Sequence, residues 1–155
     1  MTRTRLTAGD AGHRYFFYGT LLDPDVQTTV IGRRLKPRDM TPAIIRNHRR
    51  VYVSGAWYPT LVPAEGVDVP GYLVRGLSPR ERRWIDHFED DDYVLTPVPV
   101  LSLRNGPTTA SVYMPPHPGV ASEKVWTLDE WRRRFKRRYI MRARRWMITD
   151  FDQNW

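Results

Sequence analysis

Two short stretches of this chain carry residue types at spacings that suit chemistry. The first is Tyr18-Gly19-Thr20-Leu21, which joins an aromatic run to a helix start at Asp23-Pro24. Glycine at such a junction opens backbone angles closed to other residues and lets a ligand approach the main chain. Consecutive amides at the turn can converge on an anion such as a carboxylate, while Asp23 disfavours a large dianionic phosphate. The second stretch is Ile85-Asp86-His87-Phe88-Glu89-Asp90-Asp91-Asp92-Tyr93. Glu89 lies four residues after Ile85, so in a continuing helix it falls beside the apolar stripe. The negative helix end and three neighbouring aspartates disfavour one more anion and push its pKa up, which suits a general base. Both stretches also have plainer readings, as an ordinary turn glycine and as one more acid in a solvated loop.

Several other chemistries find no residues to perform them. The chain has no cysteine, which excludes disulfides, thiol nucleophiles and cysteine-bound zinc. Its histidines, His13, His48, His87 and His117, include no pair three or four residues apart. Asp90-Asp91-Asp92 lacks the alternation and glycine of a calcium loop. Neither a Gly-x-Ser-x-Gly elbow nor a glycine-rich phosphate loop occurs. The expectation is a site without metal or cofactor.

The elements that must position these residues follow from pattern. Tyr15-Phe16-Phe17-Tyr18 reads as a buried strand and Pro24 to about Ile31 as a short helix. Pro42 to Val53 and Gly71 to Val74 read as strands, with Trp57 to Pro63 an irregular aromatic and proline segment between them. Ser78-Pro79-Arg80-Glu81 is a capping box opening a helix that buries Trp84, Ile85 and Phe88. Val94–Leu103 and Thr108–Met114 pair as a hairpin across Asn105-Gly106. Thr127-Leu128-Asp129-Glu130 reads as a second capping box, opening one long helix with Leu128, Trp131, Phe135, Tyr139, Ala143 and Trp146 near one stripe. Strands and helices do not alternate regularly, so the expected fold is α+β: one domain with a curved or barrel-like mixed sheet, short flanking helices and a long C-terminal helix. Its expected parts are a flexible tail over residues 1–13, a body over 14–122 and the basic helix over 123–155.

With 155 residues and 41% apolar content, the chain is long enough for one cored domain. No apolar run reaches membrane-span or signal-peptide length, so a cytoplasmic protein is expected. The net charge of +8 raises nucleic acid as a partner. Ten of the 25 basic residues, however, fall in residues 123–155. There they crowd the polar side of a helix that also has an apolar stripe. A solvated outer face is the favoured reading, and nucleic-acid contact the less favoured one.

In order along the chain, Phe17-Tyr18-Gly19-Thr20-Leu21, Tyr58-Pro59-Thr60-Leu61-Val62-Pro63, Val69-Pro70-Gly71-Tyr72-Leu73, Leu77-Ser78, Ile85-Asp86-His87-Phe88-Glu89 with Tyr93, and Ala110-Ser111-Val112-Tyr113 resemble the gamma-glutamylcyclotransferase-like family. The match is closest to its small branch of gamma-glutamylamine cyclotransferases and avirulence-induced plant proteins. The resemblance implies a cofactor-free enzyme that cyclises a γ-glutamyl amide to 5-oxoproline and releases an amine. It implies that Tyr18, Gly19, Thr20 and Leu21 bind the substrate's α-carboxylate through backbone amides and that Glu89 is the general acid/base. Tyr93, Tyr18 or Tyr113 would then donate a hydrogen bond to Glu89 or to the developing oxyanion. Two positions depart from the pattern: many relatives have glycine where this chain has Asp90, and arginine where it has Leu95. The alternative is a non-catalytic binding or regulatory module, its arginine-rich helix contacting nucleic acid or an acidic partner.

Overall fold

The computed structural model describes residues 14–154; the expected tail over 1–13 lies outside the described residues. The elements are β1 (Tyr15–Phe17), α1 (Pro24–Ile31), β2 (Met40–Val53), β3 (Pro59–Val74), α2 (Pro79–Glu89), β4 (Val94–Ser102), β5 (Gly106–Met114), β6 (Ala121–Val125), α3 (Leu128–Arg134) and α4 (Lys136–Asn154). The strands lie side by side in the order β3-β1-β5-β4-β2-β6, and β2 also pairs with β3. That extra pairing closes five strands into a barrel and leaves β6 outside, on β2. β1 runs parallel to β5, with Tyr15 opposite Ser111, and antiparallel to β3. The expected α+β domain with a mixed, barrel-like sheet is therefore present.

β1 shows why four consecutive aromatics form a strand. Side chains alternate across a strand. Tyr15 and Phe17 face the apolar cluster under the helices. Phe16 and Tyr18 face a second cluster with Ile45, Leu61 and Val112 from other barrel strands. Both faces are buried, so no polar alternation is needed. The helical cluster is completed by Val26, Ile85, Trp126 and Trp131, each 0% exposed.

Four local expectations change. The stretch Trp57 to Pro63 is not irregular beyond its first two residues: β3 begins at Pro59 and pairs with β2 through Tyr52↔Pro59 and His48↔Pro63. Over most of its length β3 hydrogen-bonds to β2 alone, so its prolines need not donate to a second strand. The β4–β5 turn is one residue longer than an Asn-Gly pair would make it. Ser102 pairs with Gly106, which has φ +87°, a left-handed conformation that glycine adopts without strain.

The expected long C-terminal helix is present as α4, but the stretch opened at Thr127 is interrupted, giving α3 before it. Phe135 leaves helical geometry at φ −128°, ψ −20°, and its ring stacks on Trp57 at 5.6 Å and meets Tyr52 edge-on at 6.1 Å. Only half of the second capping box forms. Thr127 accepts the Glu130 amide, but the Glu130 carboxylate accepts the Tyr52 hydroxyl at 2.6 Å instead of reaching back to the cap. The box at Ser78 is complete, and Glu81 also pairs with Arg33 at 2.7 Å, joining α2 to the end of α1.

The basic helices are largely accounted for by the fold. Asp23 is 0% exposed, and its carboxylate accepts Arg132 at 2.8 Å and Lys136 at 3.0 Å. Arg138 and Arg142 lie over the Trp57 ring at 5.3 and 4.4 Å. Ile140, Ala143 and Met147 are the buried side of α4, while Trp146 is 39% exposed.

Candidate active site

After β1 the chain turns at Gly19 into a single 3-10 turn, Thr20–Leu22, and then into α1. Asp23 caps α1 by accepting the amides of Asp25 at 2.8 Å and Val26 at 3.3 Å. The amides of Leu22 and Asp23 close the turn on the carbonyls of Gly19 and Thr20, each at 3.0 Å. Among the described residues, the amides of Gly19, Thr20 and Leu21 have no acceptor. Three adjacent donors are thus left over at the end of a buried strand. Gly19 has φ −121°, ψ −138°, outside the ordinary helical and extended regions, and a Cβ there would sit 3.0 Å from the Pro59 ring.

Glu89 is the last residue of α2. The next residue, Asp90, takes φ +48°, ψ −144°, a conformation that glycine adopts most readily. That is the physical content of the departure noted at this position. The bend directs the chain through Asp90–Asp92 to Tyr93 and leaves Glu89 half-buried in a wall of phenols.

Five tyrosines line the pocket with Glu89, and each hydroxyl is already held. Tyr18 donates to the Tyr113 carbonyl at 2.6 Å, Tyr93 to the Pro59 carbonyl at 2.5 Å, and Tyr58 to the Asp92 carboxylate at 3.1 Å. Tyr113 donates to the Asp86 carboxylate, and the Tyr139 and Thr20 hydroxyls share a bond of 3.0 Å. Burial raises the pKa of every one of these phenols, foremost among its causes. They stand as neutral, low-dielectric walls. Among the described residues, no hydrogen bond reaches the Glu89 carboxylate. Burial, then the negative charges of Asp92 and Asp86, push its pKa up to about 8.

The inner pocket joins Gly19, Thr20, Leu21 and Pro59 to Glu89 and is tight, about 30 Å³. It opens past Glu89, Tyr58, Tyr93 and Tyr139 into an outer groove of about 510 Å³ that Trp57, Phe88, Asp92 and Trp146 also line. All the residues expected at the site, Tyr18, Gly19, Thr20, Leu21, Glu89 and Tyr93, line the inner pocket. The expected tyrosine donors play a different part, however. The hydroxyls of Tyr18, Tyr93 and Tyr113 are engaged by protein groups and do not reach Glu89. Tyr93 instead pins Pro59, which presses on Gly19.

Other contributors carry little signal in the sequence. Tyr139 reads as one more apolar-stripe residue. Arg50 sits in a run of basic residues, yet its guanidinium donates to the Tyr18 carbonyl at 2.7 Å and lies over Trp126 at 5.1 Å, with burial lowering its pKa. Among the described residues no group of three or more His, Asp or Glu could hold a metal ion, and no helix is long and apolar enough to cross a membrane.

Comparison with known proteins bears on this geometry. Residues 15–133 match the family model described as gamma-glutamyl cyclotransferase, AIG2-like. AIG2-like protein A of Arabidopsis thaliana is 28% identical over 132 residues, covering 83% of this chain and 77% of the relative. AIG2-like protein C of the same plant is 25% identical over 146 residues, covering 92% and 82%. A solution structure of an Arabidopsis thaliana protein, 27% identical, superposes with a TM-score of 0.60 over 83% of this chain and 86% of that one. The barrel, the turn after β1 and the glutamate closing α2 all fall within the matched span, and the chain belongs to the gamma-glutamyl cyclotransferase, AIG2-like family.

Proposed function

We propose that this protein is a cofactor-free cyclotransferase that converts a γ-glutamyl amide to 5-oxoproline and a free amine, with Glu89 as its acid/base. The observation that carries this reading is one pocket holding both the unengaged amides of Gly19, Thr20 and Leu21 and the unpaired carboxyl of Glu89. The three amides suit the substrate's α-carboxylate. With that end in the inner pocket, the γ-amide lies at the junction beside Glu89 and the leaving amine in the outer groove.

The Glu89 carboxylate takes a proton from the α-ammonium. The freed amine attacks the γ-carbonyl carbon and closes a five-membered ring. The carbon–nitrogen bond to the leaving amine then breaks as Glu89 returns its proton to that nitrogen, and the second proton on the ring nitrogen passes to the departing amine, which leaves as an ammonium. Ring closure is intramolecular, so holding the chain folded supplies much of the rate. No protein nucleophile is consumed. The tyrosine walls contribute by raising the proton affinity of Glu89, and Tyr93, through Pro59, by holding the Gly19 turn in place.

The test is 5-oxoproline release from γ-glutamyl amines, γ-glutamyl dipeptides and glutathione. Wild type is expected to act on at least one class, with Glu89→Gln lowering kcat by at least about 100-fold. An unchanged rate in Glu89→Gln would refute the role of Glu89; no release from any substrate would refute the activity.

A further inference from the structure

We propose that the protein has a second binding site, for a small phosphate-bearing anion, at the opposite mouth of the barrel. Arg14 precedes β1 and Gly19 follows it, so the two ends of one short strand mark the two mouths. Around Arg14 lies a pocket of about 730 Å³ that Arg38, Arg75 and Arg104 also line. These four arginines come from four separate places: ahead of β1, the turn before β2, the end of β3 and the β4–β5 turn. Only the closed barrel brings them together.

One guanidinium and one turn are held in position. Arg14 donates to the Thr108 hydroxyl at 2.6 Å. The turn carrying Arg104 is fixed by Ser102, whose hydroxyl oxygen accepts the amides of Asn105 at 3.0 Å and Arg104 at 3.3 Å. Ser102 is 3% exposed and lines the pocket, with its hydroxyl hydrogen left to donate.

No carboxylate is among the lining residues. Asp39 is the nearest acid, its carboxylate approaching Gly76 at the edge of the pocket, and its charge also acts on Arg33. Among the described residues, none of the four arginines is in a salt bridge. The contrast is with α3 and α4, where Arg132 and Lys136 hold Asp23 and Arg138 and Arg142 cover Trp57. Those charges have structural work; the four at the barrel mouth are in no salt bridge among the described residues, and an anion seated among them would be attracted by all four. Guanidinium forks and hydroxyl donors match phosphate oxygens. Four arginines around one pocket, and not along a stripe, favour a compact anion over a linear polymer.

The site is independent of Glu89, and binding tests it directly. Titration calorimetry on the full chain at low salt would use inorganic pyrophosphate, with inorganic phosphate as the less charged probe. Pyrophosphate is expected to bind at least about tenfold more tightly than phosphate. An Arg75→Ala/Arg104→Ala double variant is expected to weaken it at least about tenfold, and Arg38→Ala alone to weaken it less. The exposed pair Arg137→Ala/Arg144→Ala on α4, removing the same net charge, is expected to change it by less than about twofold. Equal losses in the two double variants, or none in the barrel-mouth one, would overturn the proposal. So would a single-stranded oligonucleotide binding more tightly than pyrophosphate through the same arginines. Thermal melting of each variant separates lost binding from lost fold.

Discussion

A carboxyl walled by tyrosine rings holds its proton longer than one in water. With the Glu89 pKa pushed up to about 8, by burial first, this carboxyl is charged in only a minority of free molecules at pH 7. The expected profile of kcat/KM therefore rises with pH and levels near pH 8, and a pH series of initial rates would read that limb directly. The same group shapes stability, and the sign follows from the raised value. Folded and unfolded chains both hold the proton below about pH 4.5. Between there and about 8 only the folded chain does, and the associated stability is lost as pH rises through that window. Glu89→Gln is thus expected to match wild type near pH 4 and to exceed it by on the order of 1–2 kcal/mol at pH 9, a figure reduced for water access to the cleft. Denaturant melts at both pH values would measure the gap.

At the scale of elements, Asp23 connects the site turn to the C-terminal helices. One of its oxygens caps α1 directly after the Thr20–Leu22 turn, and the other receives Arg132 from α3 and Lys136 from α4. Burial raises the pKa of this carboxyl, but its bonds to Arg132, Lys136 and the Asp25 amide outweigh that and leave it lowered. Its stabilisation is present above the ordinary carboxylate range and is lost as pH falls through the lowered folded value. Asp23→Asn is expected to cost about 2 kcal/mol at pH 7, from the weakened cap and the unpaired cations together. The difference should shrink toward pH 3, as thermal melts at the two pH values would show. Phe135 works at the same scale. Its departure from helical geometry seats its ring on Trp57, a residue of the outer groove.

Over the whole molecule, charge is divided by place. Acids Asp86, Glu89 and Asp92 surround the cleft, while arginines gather on α4 and at the far barrel mouth. A γ-glutamyl alkylamide carries one ammonium and one carboxylate and no net charge, so long-range fields steer it little. Between about 50 and 500 mM salt its kcat/KM is expected to change by less than about twofold, whereas pyrophosphate binding at the arginine pocket should weaken steeply. Kinetics and calorimetry at matched salt would separate the two behaviours.

The sequence by itself determined the local signals: an aromatic strand ending in Gly19, the Asp23-Pro24 and Ser78-Pro79 helix starts, and a glutamate closing a helix beside aspartates. It determined these because caps, turns and periodicity depend on neighbours within a few residues. It also carried enough ordered motif to indicate the family. What it left open was everything that joins distant segments. That Tyr93 pins Pro59 against Gly19, that Arg50 clamps Tyr18, and that five phenols desolvate Glu89 are contacts between residues tens of positions apart. The break between α3 and α4 stayed hidden for the same reason, since the seat of Phe135 on Trp57 is invisible to periodicity. Only barrel closure decided which side chains share a cavity, because a ring of strands sets neighbours by register and not by sequence distance.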